Sequence, residues 1–350
     1  MQVNRRGFLK TGAIVPTAAL AGAATPQFAA AAERERNATD RRRRFARPDD
    51  ERERRDGSDR CWPEMAGYAK VNGQNLYYVT LGQGTPVIFM HGGLGFDHQY
   101  FRPFVDPLAR SANVVYYDHL GHGRSDRPLN ISDLTLARLS SDCDGLATAL
   151  GFDKFILVGH SYGGFIALDF ALRFPKRLAG LVLSCTAPDL ASFVLRNPLG
   201  GTGAQQAALG QLFAGPMANA TDAVLRRNWT TAVPLYYNNV TPPPGVTADV
   251  DRRTIYSAAG VNQGNAILGG YDFVAQLSTI EVPTAVHYGA GDIWRFGDNE
   301  KMAKNILGAT LKYFPNSGHW PFQEEQAAFL AYMRGFVASV DADDPTECRR

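Results

Sequence analysis

The pentapeptide Gly159-His160-Ser161-Tyr162-Gly163 sets a single hydroxyl between two glycines. An alcohol is a poor nucleophile until a base takes its proton, and the base works best when a third group orients it. In a G-x-S-x-G arrangement the serine occupies a strained turn from a strand into a helix. The glycines leave room where a Cβ would strike neighbouring backbone. The flanks meet this requirement: Phe155–Val158 is an apolar run suited to a buried strand, and Phe165–Phe174 follows with helical spacing. Such a turn lifts Ser161 to a helix N-terminus, where unpaired N–H groups face any negative charge developing on a substrate. In an ordinary turn Ser161 would be only a helix cap, so its partners decide the chemistry.

Seven histidines are available as the base: His91, His98, His119, His122, His160, His287 and His319. His319 ends the polar loop Asn316-Ser317-Gly318-His319, after the last strand-like run and just before the last helix, where an imidazole can lie over a serine at the top of a sheet. His91 opens His91-Gly92-Gly93-Leu94-Gly95, His160 is the variable residue beside the serine, and His287 lies within a strand pattern. His119 and His122 belong to a glycine-rich turn after another strand. The acid is expected after the next-to-last strand, where Gly289-Ala290-Gly291-Asp292 ends in a carboxylate. Asp189 and Asp298 are its rivals, and the glycines around Asp292 favour it by allowing a sharp turn. The order serine, acid, histidine is then satisfied. An oxyanion needs two donors, and the N–H groups of Gly93 and Tyr162 are the candidates.

Positioning these residues takes a layered frame. Gly67–Val71 and Leu76–Leu81 read as strands joined at Asn72-Gly73. Pro86–Met90, Asn113–Tyr117, Lys154–Val158, Leu178–Ser184, Thr284–Tyr288 and Thr310–Phe314 complete a set of eight. Most are continuously apolar, as a sheet covered on both faces requires. Helical spacing at Leu136, Leu139, Cys143, Leu146 and Leu150, and again over Ala327–Val337, gives the alternation of an α/β fold with a mostly parallel eight-stranded sheet and helices on both faces. About 187–278 breaks the rhythm. With helical stretches at Gln205–Phe213 and Asp222–Trp229, it reads as a helical cap inserted between two strands, over a site.

Taken together, the elbow around Ser161, the His91-Gly92-Gly93 loop, Asp292 and His319 resemble the α/β-hydrolase superfamily over Gly67 to Val340. His91-Gly92-Gly93-Leu94-Gly95, Tyr117-Asp118-His119-Leu120-Gly121-His122-Gly123-Arg124-Ser125 and the cap's place are similar to the proline iminopeptidase-type branch. That resemblance implies a metal-free, cofactor-free hydrolase with Ser161, Asp292 and His319 as triad, releasing N-terminal proline. The chain departs from the branch where Leu94 replaces a proline and Tyr162 a tryptophan. The branch is also expected to grip the substrate amine with cap glutamates, whereas 187–278 contains no Glu, only Asp189, Asp222, Asp249, Asp251 and Asp272. A buried ammonium without a carboxylate is costly. Phe193, Leu212, Phe213, Trp229, Tyr236 and Tyr237 of the cap suit an uncharged, partly apolar small-molecule substrate instead.

The 350 residues carry a net charge of +2, which gives no basis for nucleic-acid binding. Asn4-Arg5-Arg6-Gly7-Phe8-Leu9-Lys10, a weakly apolar stretch and an alanine-rich end make residues 1–32 resemble a Tat-type signal, so the expected site is periplasmic or extracellular. The apolar stretch, interrupted by Pro16, is too short for a comfortable membrane span, and no stable insertion is expected after cleavage. Residues 33–60, dense in Arg, Asp and Glu, read as a disordered linker. The globular part is therefore 61–350. Cys143 and Cys185 read as buried small apolar groups. Cys61 and Cys348 flank the domain, and export leaves room for a bridge between them that sequence does not assign. The expected activity is cleavage of an ester-like bond through an acyl-enzyme at Ser161. Proline iminopeptidase-like amide cleavage and a non-catalytic binding role remain the alternatives.

Overall fold

The structure, a computed structural model, describes residues 63–93, 95–128, 130–191, 200–213, 221–268, 270–294 and 297–342. The signal-like segment 1–32, the linker 33–60, Cys61, Leu94, Phe193 and Cys348 lie outside the described residues.

Strands β1 (Glu64–Val71) and β2 (Gln74–Leu81) form an antiparallel hairpin. Its turn uses Asn72 and Gly73 at φ 48° and 84°, the left-handed pair that matches strand twist. There follow β3 (Pro86–Met90), β4 (Asn113–Tyr117), α1 (Leu136–Ala149), β5 (Phe155–His160), α2 (Tyr162–Arg173) and β6 (Leu178–Ser184). Among the described residues four α-helices then intervene, α3 (Gly203–Phe213), α4 (Asp222–Ala232), α5 (Val246–Arg253) and α6 (Ala258–Leu268). The frame resumes with β7 (Thr284–Gly289), α7 (Gly297–Asn305), β8 (Thr310–Phe314), α8 (Pro321–Glu324) and α9 (Gln326–Ala342).

The sheet order is β1-β2-β4-β3-β5-β6-β7-β8. β2 is antiparallel to β1 and β4, and all other neighbours are parallel. Every residue of β5 and of β7 is buried, so both faces are covered, as the apolar runs require. Chain order reverses at β3, which lies between β4 and β5. The crevice outside the carboxyl ends of β3 and β5 is therefore the place this kind of sheet offers a ligand. Gly92-Gly93 follows β3 there, and Ser161 follows β5.

Two differences from the sequence reading bear on the site. β5 continues through Gly159 and His160, which pair with Leu183 and Ser184, so the ladder to β6 overrides the turn preference of glycine. Between β6 and β7, α5 and α6 add to the two helical stretches legible beforehand. Gly245, left-handed at φ 78°, starts α5 straight after the proline run.

Candidate active site

Ser161 sits at φ 54°, ψ −120°, a backbone conformation that side chains other than glycine's rarely hold and that costs on the order of 1–3 kcal/mol. Its surroundings impose this geometry. A Cβ on Gly163 would lie 2.2 Å from the Met90 carbonyl oxygen, and one on Gly159 would lie 2.6 Å from the Gly163 carbonyl oxygen. The two glycines of the pentapeptide thus let α2 start directly against β3 and β5. The Ser161 N–H donates to the Ser184 carbonyl at 2.9 Å and the Thr186 hydroxyl to the Ser161 carbonyl at 2.7 Å, which leaves the side chain to project from a fixed bend. Tyr162 is the first residue of α2, and its N–H is among those a helix leaves without an internal acceptor.

Asp292 and His319 meet as the sequence order suggests. His319 Nδ1 and Asp292 Oδ1 are 2.9 Å apart, with both side chains buried. A carboxylate only accepts, so Nδ1 carries the proton and, in the neutral ring, Nε2 keeps its lone pair. That Nε2 is buried and without a hydrogen-bond partner. Asp292 is fixed by the Trp294 N–H, 3.1 Å from Oδ1, and by a turn closed from its own N–H to the Gly289 carbonyl at 3.2 Å. A Cβ at Gly289 would lie 2.0 Å from the Gly318 carbonyl oxygen, so the acid loop and the base loop touch backbone to backbone. The rival Asp189 instead accepts from Lys301 Nζ at 3.0 Å, and Asp298 lies on α7.

His160 ties the pieces together, a role its place as the variable residue of the pentapeptide does not reveal. Its Nε2 lies 2.8 Å from the His319 carbonyl, which only accepts, so Nε2 is protonated. Its Nδ1, 2.8 Å from the Tyr100 hydroxyl, therefore accepts from that hydroxyl, and the hydroxyl in turn accepts the Gly92 N–H. One chain of hydrogen bonds thus runs from the loop after β3, through the elbow, to the His319 backbone. Burial, reinforced by His319, lowers the His160 pKa well below its ordinary value, so the ring is neutral. Its nitrogens approach Cys185 and His319 closely enough to suggest a metal, with donor atoms within 4.8 Å of one another. Both His160 nitrogens are already committed, however, and the Cys185 thiol pKa is raised well above normal by burial and then by Asp292. The trio is therefore a hydrogen-bonded core and not an open ligand set.

Gly93, at φ 67°, lines the same cavity as Ser161, Tyr162, His160 and His319. Phe96, Tyr100, Phe165, Phe213, Trp229, Tyr236, Trp294 and Trp320 complete the wall. The space left for water is about 20 Å³, room for a single molecule. Phe213, Trp229 and Tyr236 come from the inserted helical segment, as its aromatic content suggests. Tyr237 turns away to donate to Gln323 Oε1 at 2.6 Å, and Leu212 is core. Phe96, Tyr100, Trp294 and Trp320 are not apparent from periodicity, although Trp294 lies two residues after Asp292 and Trp320 directly follows His319.

Among the described residues, no carboxylate lines the cavity. The segment's aspartates are engaged elsewhere: Asp222 accepts the Ala258 N–H, Asp249 binds Arg252 and Arg253, Asp251 binds Arg226, and Asp272 accepts the Val274 N–H. Glu324 accepts from the N–H groups of Asn238 and Gly318 at 2.8 and 2.7 Å, clamping the inserted segment to the base loop. Burial pushes its pKa up to about 7 despite those two donors. Behind the Gly92-Gly93 loop, His91, His119 and His122 pack ring against ring. Burial lowers His119 to about 3, His122 to about 4 and His91 well below its ordinary value, so the three are neutral packing elements, in keeping with a structural turn.

Comparison with known proteins agrees with this frame. The chain is 30% identical over 293 residues to the proline iminopeptidase of Saccharolobus solfataricus, covering 78% of this chain and 92% of that one. It is 30% identical to the 2-hydroxy-6-oxo-6-phenylhexa-2,4-dienoate hydrolase of Burkholderia cepacia, over 74% and 89% of the two chains. An esterase from Exiguobacterium antarcticum shares the fold with a TM-score of 0.65 at 24% identity, covering 79% of this chain and all of that one. Residues 85–326 match the family described as alpha/beta hydrolase fold, and the chain belongs to that family as a hydrolase.

Proposed function

We propose that the chain is a serine hydrolase that cleaves an ester-like bond of a small uncharged substrate through an acyl-enzyme at Ser161. The observation that supports this is the His319 ring, held by Asp292 at Nδ1 and open at Nε2, in the cavity that Ser161 lines. In the first step Nε2 takes the Ser161 proton while the oxygen bonds to the acyl carbon. The Gly93 and Tyr162 N–H groups receive the charge on the carbonyl oxygen. His319 then returns the proton to the departing alcohol, and a water repeats the sequence to release the acid. Asp292 holds the tautomer and stabilises the transient imidazolium.

The relatives named as peptidases support a second reading, removal of N-terminal proline. A protonated amine in this cavity finds no carboxylate among the described residues, which favours the ester reading. Ser161→Ala is expected to abolish hydrolysis of p-nitrophenyl acetate and butyrate with unchanged folding, and fluorophosphonate is expected to label the native protein at Ser161. Retained turnover in that variant overturns the assignment, and rapid release of β-naphthylamine from proline-β-naphthylamide moves it to the peptidase reading. We further propose that residues 1–32 export the folded enzyme, a reading that rests on the twin-arginine run. Replacing Arg5-Arg6 by Lys-Lys is expected to retain the protein inside the cell.

A further inference from the structure

Among the described residues of the cavity wall are hydrogen-bond donors with nothing to donate to. Trp229 Nε1 and the Tyr236 hydroxyl are buried without a partner, on side chains only 2% and 3% exposed. Buried polar groups are rarely left unmatched, because each orphan costs the full loss of its hydration. The two rings are neighbours, with centroids 5.1 Å apart, and Tyr236 stands 5.3 Å from the His319 ring. Both are held firmly. Phe96 packs on Trp229 at 4.0 Å and Trp320 stacks on Tyr236 at 5.7 Å, so neither donor can readily turn to find a partner elsewhere.

We propose that Trp229 and Tyr236 form a specificity site for a second carbonyl oxygen on the substrate, one not belonging to the bond that is cleaved. This deepens the hydrolase reading and rests on it. An indole N–H only donates. The phenol pKa is raised well above its ordinary value by burial and by Asp292, so the Tyr236 hydroxyl keeps its proton through the working pH range. The pair therefore selects an acceptor. Among the described residues the lining contains no Lys or Arg to neutralise a carboxylate and no Asp or Glu to match an amine, so the acceptor is a neutral oxygen. Keto esters and oxo-substituted lactones have this chemistry, and simple alkyl esters lack it.

The test compares substrates that differ by one oxygen, with each rate divided by that of hydroxide-catalysed hydrolysis. Methyl acetoacetate against methyl butanoate probes the acyl half, and 2-oxopropyl acetate against propyl acetate probes the alcohol half. In at least one pair the wild-type kcat/KM is expected to favour the carbonyl-bearing ester by about tenfold or more, the scale of a buried donor left unmatched. In Tyr236→Phe, and separately in Trp229→Phe, that ratio is expected to fall to within about threefold of unity. Two variants in different elements keep the test intact should one fail to fold. A wild-type ratio near one in both pairs, as when a retained water serves the donors, overturns the inference, and so does a ratio the variants leave unchanged. Loss of all turnover in Ser161→Ala alongside such a result removes this inference alone, whereas full turnover in Ser161→Ala removes the hydrolase reading beneath it.

Discussion

Replacing Gly163 with alanine tests whether the elbow's packing is what places the nucleophile. The added Cβ would stand 2.2 Å from the Met90 carbonyl oxygen, about 1.2 Å short of the 3.4 Å at which contact becomes ordinary, and 2.7 Å from that of His91. The Met90 oxygen cannot swing aside, since β3 is bonded to β4 on one side and β5 on the other, and the His91 oxygen is held by His119 Nε2 at 3.0 Å. The strain must then open the gap between α2 and the Gly92-Gly93 loop, separating Ser161 from the Gly93 N–H by on the order of 1 Å. Overpacking of this kind costs about 1–3 kcal/mol of stability. A misplacement near 1 Å costs roughly 100-fold in rate. Calorimetric melting, the rate of fluorophosphonate labelling and kcat/KM on p-nitrophenyl acetate together read both effects. Gly335→Ala, on α9 with nothing within 4 Å of the new methyl, is the control and is expected to leave all three near wild type. Labelling by Gly163→Ala at the wild-type rate, with an unshifted melt, would refute the steric argument.

Asp292→Asn should keep the fold but offer His319 Nδ1 an amide that can donate, favouring the wrong tautomer. A fall in kcat of about 10³ to 10⁴ is expected, and a loss below tenfold would remove Asp292 from the role. Glu324 supplies a pH test. Its folded pKa of about 7 lies above the ordinary 4.5, so the stability gained by its neutral form is complete below about 4.5 and is lost as pH climbs through 7. The melting temperature of wild type relative to Glu324→Gln should therefore decline between these pH values, and a flat difference would contradict the raised pKa.

The middle of the sheet was readable because inner strands such as β5 and β7 are buried on both faces and so written as largely apolar runs. The three polar site residues were readable because each follows a strand at a glycine-marked turn, a pattern local in sequence. The cavity wall was not. Phe96, Tyr100 and Trp320 face Ser161 only because loops after three different strands meet above the sheet, and no periodicity encodes such a meeting. The same limit hid His160, whose two hydrogen bonds reach 60 and 159 residues along the chain.

The His319 N–H donates to the Tyr236 carbonyl at 2.7 Å, and a Cβ on Gly318 would lie 2.3 Å from that same oxygen. The imidazole proposed as the base is thus suspended from the very peptide whose phenol is proposed to select the substrate. Grafting a foreign lid onto this frame to alter its taste would also disturb the pendulum that moves the proton. New selectivity is more safely sought by changing ring chemistry at Trp229 or Tyr236 while their main chain stays in place.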